Sequence, residues 1–528
     1  MPQRMRLNEG NRKWWTLAAM CFALFMLMLD NTVVNVALPA IQDDLDASLS
    51  SLEWTVNAYT LTFAVLLVTG GRLGDIFGRR RMFLFGVVVF AVSSAAIGLA
   101  PSQEWLVAGR AIQGIGGAFM MPGTLSIISN TFPAHERGRA IGTWAGVSAL
   151  ALAIGPAVGG ALTEYVSWRA IFFLNLPVAV GAVIVTLFAT RESRDPTVDR
   201  RVDYPGIAAL STGLTALVLA LVEGNRWGWG SAGIVALLVT AAVGLSLFVY
   251  VELRGRAPMI QFEHFRSRSF AGASSVAFIV SFAMLAMFFF MALYMQNILE
   301  YSPLEAGIRF LPATAVIIVA APIAGRLADR IGPRPLMVTG LTVTAFSLYL
   351  QSRVDVHTGY GELLPAFSLM GLGMGLTISP MSTAGMNSVT PEKAGAASGI
   401  LSMFRMVGGT FGVAAIGALF QSLAHARIDE RLASLHLPAG VRDGIVDNLG
   451  SGAGSQMLDR MDPRQAAQVG SAMHDAFIHA LSGALTLSCA VAAVGAVLAL
   501  VLIEPKRKQA PHADPARSPS AAEPLGAS

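Results

Sequence analysis

Three ionisable side chains stand where charge is costly. Asp30 lies inside a long apolar run, Arg110 near the start of another, and Arg405 about ten residues into a third. A carboxylate surrounded by hydrocarbon faces a cavity or a partner and serves function. It sheds its cost by taking up a proton or pairing with a cation, so Asp30 is the candidate proton or cation site. Gln113 follows Arg110 by three residues, on the same helical face. Arginine stays charged, so Arg110 is no proton carrier; it can hold a carboxylate and release it when the geometry changes. Asn35 is five residues beyond Asp30, only loosely on its face. Each has a plainer reading: Asp30 as a hydrogen-bond partner of a neighbouring helix, Arg110 as a side chain reaching the headgroups, Arg405 as a buried structural charge.

A second kind of chemistry is written twice. GRLGDIFGRRR runs from Gly71 to Arg81 and GRLADRIGPRP from Gly325 to Pro335, each between two apolar segments. Gly71, Arg72, Leu73, Asp75, Gly78 and Arg80 recur as Gly325, Arg326, Leu327, Asp329, Gly332 and Arg334. Both stretches are expected to be short charged loops. Asp75 can charge-match a helix N-terminus in the other half, and Arg79 or Arg80 can pair with it. Such a latch would favour one state of a two-half protein. The second copy has Pro333 and Pro335 where the first has Arg79 and Arg81, so gating is expected first at Asp75 and second at Asp329. The arginines also suit a simple topology role. A third motif, Gly155, Pro156, Gly159 and Gly160, combines small residues that let helices approach closely with a kinking proline. It is expected at a pliable contact between the halves.

The elements that must hold these residues follow from composition. The 528 residues are 54% hydrophobic and 13% charged, against about 25% charged in soluble chains. Lipid must cover the difference. A span needs roughly 20 apolar residues, and such runs fall at 14–40, 54–73, 82–100, 105–129, 138–162, 169–190, 205–223, 231–252, 269–298, 305–328, 335–352, 362–387, 395–421 and 474–503. The fold class is therefore all-α integral membrane with fourteen transmembrane helices. Lys and Arg cluster in alternate loops and at both ends, which places both termini in the cytoplasm of a multi-pass cell-membrane protein. The net charge of +4 is explained by that topology and not by nucleic acid. Cys21 and Cys489 sit in apolar runs, and the histidines show no metal-binding spacing, so no metal is expected.

The two loop copies are 254 residues apart, and PAHERG (133–138) resembles PEKAG (391–395) at a similar offset. Six helices occupy about 200 residues here. The surplus fits one helical hairpin between two six-helix halves. The division is 1–13 N-terminus, 14–200 N-terminal half, 201–256 inserted hairpin, 257–505 C-terminal half with an external loop at about 422–473, and 506–528 a disordered tail.

GRLGDIFGRRR, LDNTVVNVALPAI (29–41), GRAIQGIGGA (109–118) and GPAVGG (155–160) together resemble the major facilitator superfamily, in its fourteen-helix drug:proton antiporter branch. The likeness covers about residues 14 to 505. It implies a role for Arg110 in proton coupling, and the helix-5 motif GPAVGG implies export. The expectation is a secondary active transporter in which protons flow inward and a small amphipathic or cationic compound flows out. Its partners would be the substrate, protons and lipid; it would act as a monomer, with the proton gradient as energy source and no cofactor. The nearest alternative is a dedicated exporter of a self-made antibiotic, metabolite or nutrient. A membrane sensor on the same fold would bind without moving its ligand. No Walker A motif and no catalytic triad stand out, so neither ATP driving nor an enzyme is expected.

Overall fold

A computed structural model describes residues 9–45, 49–194, 202–255, 263–432 and 463–505. Within lipid every backbone polar group must be satisfied internally, and helices do this. The described residues hold helices and no strand. In chain order they are α1 (Glu9–Leu45), α2 (Leu49–Phe77), α3 (Arg79–Gly98), α4 (Gln103–Thr131), α5 (Ala134–Tyr165), α6 (Trp168–Phe173), α7 (Asn175–Ala189), α8 (Tyr204–Trp227), α9 (Ala232–Arg254), α10 (Glu263–Arg266), α11 (Arg268–Asn297), α12 (Pro303–Arg309), α13 (Leu311–Ile331), α14 (Pro333–Gln351), α15 (Tyr360–Asn387), α16 (Ala394–Leu432) and α17 (Pro463–Leu502). Several start where a short polar side chain caps the free N–H groups: Ser167, Asp203, Ser231, Ser267 and, in a capping box with Glu305, Ser302.

Two spans are broken. The helix expected over 169–190 is α6 and α7, which meet at Leu174, just before Pro177. That over 305–328 is α12 and α13, which meet at Phe310, just before Pro312. Thirteen helical stretches among the described residues are long and apolar enough to cross a membrane. The remaining expected span is α14, 19 residues long. Its low apolarity comes from Arg334 and the two prolines at its start and from Thr344, Ser347 and Gln351, which it buries against its neighbours.

α1 to α7 pack as one bundle, with α4 against α2 and α3, and α1 against α5 and α7. A second bundle joins α11 to α16 and α17, α13 to α15, and α14 to α15 and α17. α8 and α9 form the hairpin, and α8 rests on both α2 and α16. The bundles meet where α5 packs on α13 and α15, and where α2 and α4 pack on α16.

Two expectations need correction. The repeated charged stretches are not loops: α2 runs to Phe77 and α3 begins at Arg79, so only Gly78 is non-helical, and the second copy breaks only at Gly332. Each glycine has a positive φ (111° and 91°) that other residues rarely adopt. One residue therefore turns the chain, and the charges ride on helix ends. The stretch 422–473 is helical at both ends, since α16 runs to Leu432 and α17 begins at Pro463. The polar residues there form a solvated helix face, including Arg427 and Arg431, which both hydrogen-bond Asp475 at 2.7 and 2.8 Å. Residues 433–462, the first eight residues and the tail 506–528 lie outside the described residues. Glu223, near the end of α8, is buried; α8 packs on α2 and α16.

Candidate functional site

Asp30 on α1 is buried in the N-terminal bundle, as are Arg110 and Gln113 on α4. Arg110 donates from Nη1 to Asp30 Oδ2 at 2.6 Å and to Gln113 Oε1 at 2.7 Å, and from Nε to the Thr55 carbonyl at 3.0 Å. Its guanidinium lies 4.3 Å from the centre of the Tyr59 ring. Gln113 Nε2 donates to Asp30 Oδ1 at 3.1 Å. This excludes the reading of Arg110 as a headgroup-seeking side chain. Asp30 accepts three donors, and the third is one the sequence reading missed: Asn175 Nδ2, at 3.0 Å. Asn175 also donates to Ser94 Oγ at 2.9 Å. It opens α7 at the break in the sixth span, and a lone amide in the apolar run FFLNLPV was the available signal. Through these three donors Asp30 ties α1 to α4 and α7.

Asn35 stands apart from this network. It is exposed and donates back to the Asn31 carbonyl at 3.1 Å. Five residues advance a helix by about 500°, which turns Asn35 away from Asp30.

The repeated motif reaches the opposite bundle. Asp75, fully buried, accepts from Gly395 N (2.9 Å) and Ala396 N (2.7 Å) at the start of α16. Those N–H groups carry the positive end of the helix. Arg79 grips the same carboxylate with Nε at 2.9 Å and Nη2 at 2.6 Å, and Nη2 also reaches the Glu392 carbonyl. Arg72 is also buried. Arg80 points elsewhere, to the Leu187 carbonyl at 3.2 Å, while its N–H and that of Arg81 bond the Glu192 carboxylate. The second copy does the corresponding thing despite its prolines: Asp329 accepts from Gly138 N at 3.0 Å and Arg139 N at 3.1 Å in α5.

Close backbone approach makes both contacts possible. A Cβ on Gly71 would lie 2.4 Å from the Gly395 carbonyl oxygen, and one on Gly325 would lie 2.0 Å from that of Gly138. Further bonds join the bundles on this loop-bearing face: Ser398 Oγ to the Pro122 carbonyl at 2.9 Å and Arg137 Nη1 to Asn387 Oδ1 at 2.8 Å.

The helix-5 motif is not at the contact between halves. A Cβ on Gly155 would collide with Thr32, and one on Gly159 would lie 3.0 Å from Val33 Cα, so both serve α1 in the same bundle; Gly160 faces Val36 of α1. Pro156 lies between them in α5. The small residues that bring α5 to the other bundle are nearer its start, at Gly138 and Gly142. Arg405 on α16 is only partly buried and lies 5.9 Å from the centre of the Trp144 ring on α5, across the line between bundles. Among the described residues no group of His, Cys, Asp and Glu could hold a metal, and the two cysteines are unpaired.

Two helical bundles, joined through mirrored carboxylate-to-helix contacts and built round a buried acid–guanidinium network, define a membrane transporter. The chain belongs to the Major Facilitator Superfamily, whose family model matches residues 20–413. It is 35% identical over 491 residues to the tetracenomycin C resistance and export protein of Streptomyces glaucescens, covering 93% of this chain and 91% of that one. It is 37% identical to the multidrug resistance protein Stp of Mycobacterium tuberculosis over 79% of this chain and 78% of the relative. It is also 37% identical to the puromycin resistance protein pur8 of Streptomyces alboniger, over 82% and 86%. Among solved structures the human organic anion transporter MFSD10 (TETRAN) shares the fold, with a TM-score of 0.59, 12% identity, and coverage of 92% and 99%. The protein is a multi-pass membrane transporter of small molecules.

Proposed function

We propose that this protein is a proton-coupled exporter of small amphipathic compounds, working by alternating access in the fourteen-helix drug:proton antiporter branch. One observation carries the proposal: Asp30, within a span, is held by Arg110, Gln113 and Asn175 from two other helices. A proton that takes Asp30 frees those helices. Substrate near the bilayer midplane and protons at Asp30 then compete through the same rearrangement. The loop-bearing face is the cytoplasmic one by its arginines. With Asp75 and Asp329 docked, that face is closed, and the protein stands in the state that releases substrate outward.

The test is transport in proteoliposomes under an imposed pH gradient, with a panel of cationic, neutral and anionic compounds. Wild type is expected to accumulate substrate only while the gradient lasts. Asp30→Asn should abolish gradient-driven accumulation; undiminished accumulation would sink the assignment. A dedicated antibiotic exporter is the second reading. It is favoured by the near full-length match to the tetracenomycin C resistance and export protein, and a flux confined to one chemical scaffold in the same panel would select it.

A further inference from the structure

Arg405 has no hydrogen bond or ion pair among the described residues. It lies 11 residues beyond the start of α16, or about 16 Å along the helix, near the middle of a hydrocarbon layer about 30 Å thick. No Asp or Glu lies within α11, α13, α14, α15 or α16 except in a terminal turn. In the other bundle the mid-span acid, Asp30, already carries Arg110 at 2.6 Å. At the loop-bearing end Asp75 already carries Arg79. On α17 Asp475 already carries Arg427 and Arg431. Among the described residues Arg405 therefore stands between the bundles with no acidic partner.

An unpaired charge in such a place is strongly destabilising, and natural proteins keep it where a ligand completes the pair. A guanidinium accepts a carboxylate or phenolate bidentately and stacks on flat rings. Trp144, fully buried and fixed by its Nε1 donating to Thr124 Oγ1 at 3.1 Å, supplies an aromatic surface beside it.

We infer that Arg405 is a substrate-binding residue that takes the acidic group of an aromatic, amphipathic acid. The inference rests on the export reading above, and it replaces the cationic substrate expected from sequence with an anionic one. Arg405 pairs with the carboxylate and its guanidinium stacks on the ring system, at the line between the bundles where Trp144 of α5 lies 5.9 Å away. Substrate then neutralises the charge there for the rocking step.

The experiment measures equilibrium binding to the full-length protein in nanodiscs by calorimetry, without any gradient. The probes are anthraquinone-2-carboxylate, its methyl ester, and ethidium. Wild type should bind the acid about tenfold or more tighter than the ester, the scale of a charge-assisted hydrogen bond. Arg405→Gln should erase that preference, and its retained binding of the ester shows that the variant is folded. Arg405→Lys, which keeps the charge, should retain a preference of the same sign. Equal affinity for acid and ester in wild type, tighter binding of ethidium than of the acid, or a preference that survives Arg405→Gln would overturn the inference. Because no flux is measured, these outcomes stand whether or not proton-driven export is found.

Discussion

At the scale of single residues, the buried network turns on how many donors a carboxylate can hold. Asp30 accepts from Arg110, Gln113 and Asn175, and Asn175 also reaches Ser94. Asn175→Ala removes one donor from each of two buried acceptors, leaving Asp30 with Arg110 and Gln113, and Ser94 with Gln113 at 3.4 Å and its own bond to the Phe172 carbonyl at 2.9 Å. Each hydrogen bond lost costs about 0.5–1.5 kcal/mol, so the variant should melt lower in detergent and transport more slowly. An unchanged melting temperature would mean that water fills the gap. Asp30, Arg110 and Gln113 were legible in the sequence because charge in an apolar run is costly and a spacing of three shares a helix face. Asn175 and Ser94 were not, since small neutral donors are tolerated in spans and carry no such signal. Asn35 was drawn in by its type, and helical geometry excludes it.

At the scale of elements, the packing of α2 on α16 and of α13 on α5 rests on glycines. A Cβ on Gly395 would lie 2.3 Å from Asp75 Oδ1 and 2.5 Å from the Gly71 carbonyl oxygen. Overpacking of this kind costs about 1–3 kcal/mol, a shift of roughly 5- to 150-fold between two states. Gly395→Ala should therefore open the loop-bearing face. Spin labels on His135 and Ile331, exposed and on opposite bundles, should report a longer mean distance than in the parent. No change would show that the contact is not held closed by close approach. The sequence offered Asp75 as a partner for a helix N-terminus in the other half and ranked Asp329 second because of its prolines; in the structure both carboxylates meet backbone N–H groups of the opposite bundle. Pro333 and Pro335 fall in the first turn of α14, where a missing N–H is no loss. The glycines of the helix-5 motif were read as a contact between halves, and they pack on α1. A stripe of small residues says that some helix comes close without saying which one.

At the scale of the whole molecule, two bundles and a hairpin were visible in the 254-residue offset. Which face is closed was not, because that depends on backbone contacts between distant segments. With the loop-bearing face joined by Asp75, Asp329, Arg137 and Ser398, the centre should be reached from the opposite side. In a protein whose Cys21 and Cys489 are replaced by alanine, a cysteine in place of Arg405 should react with an impermeant thiol reagent added outside intact cells. Reaction only in inverted membranes would reverse either the orientation or the closed face.

The Arg405–Trp144 contact has a further, optical consequence. Trp144 belongs to one bundle and the cation over its ring to the other. An indole's emission depends on the field across its ring, so relative motion of the bundles changes the colour of this one fluorophore. Of the eight tryptophans, Trp144 alone, with the other seven replaced by phenylalanine, should act as a built-in gauge of the transport cycle. Its emission should shift when a pH gradient is imposed and return when the gradient collapses, with no dye attached.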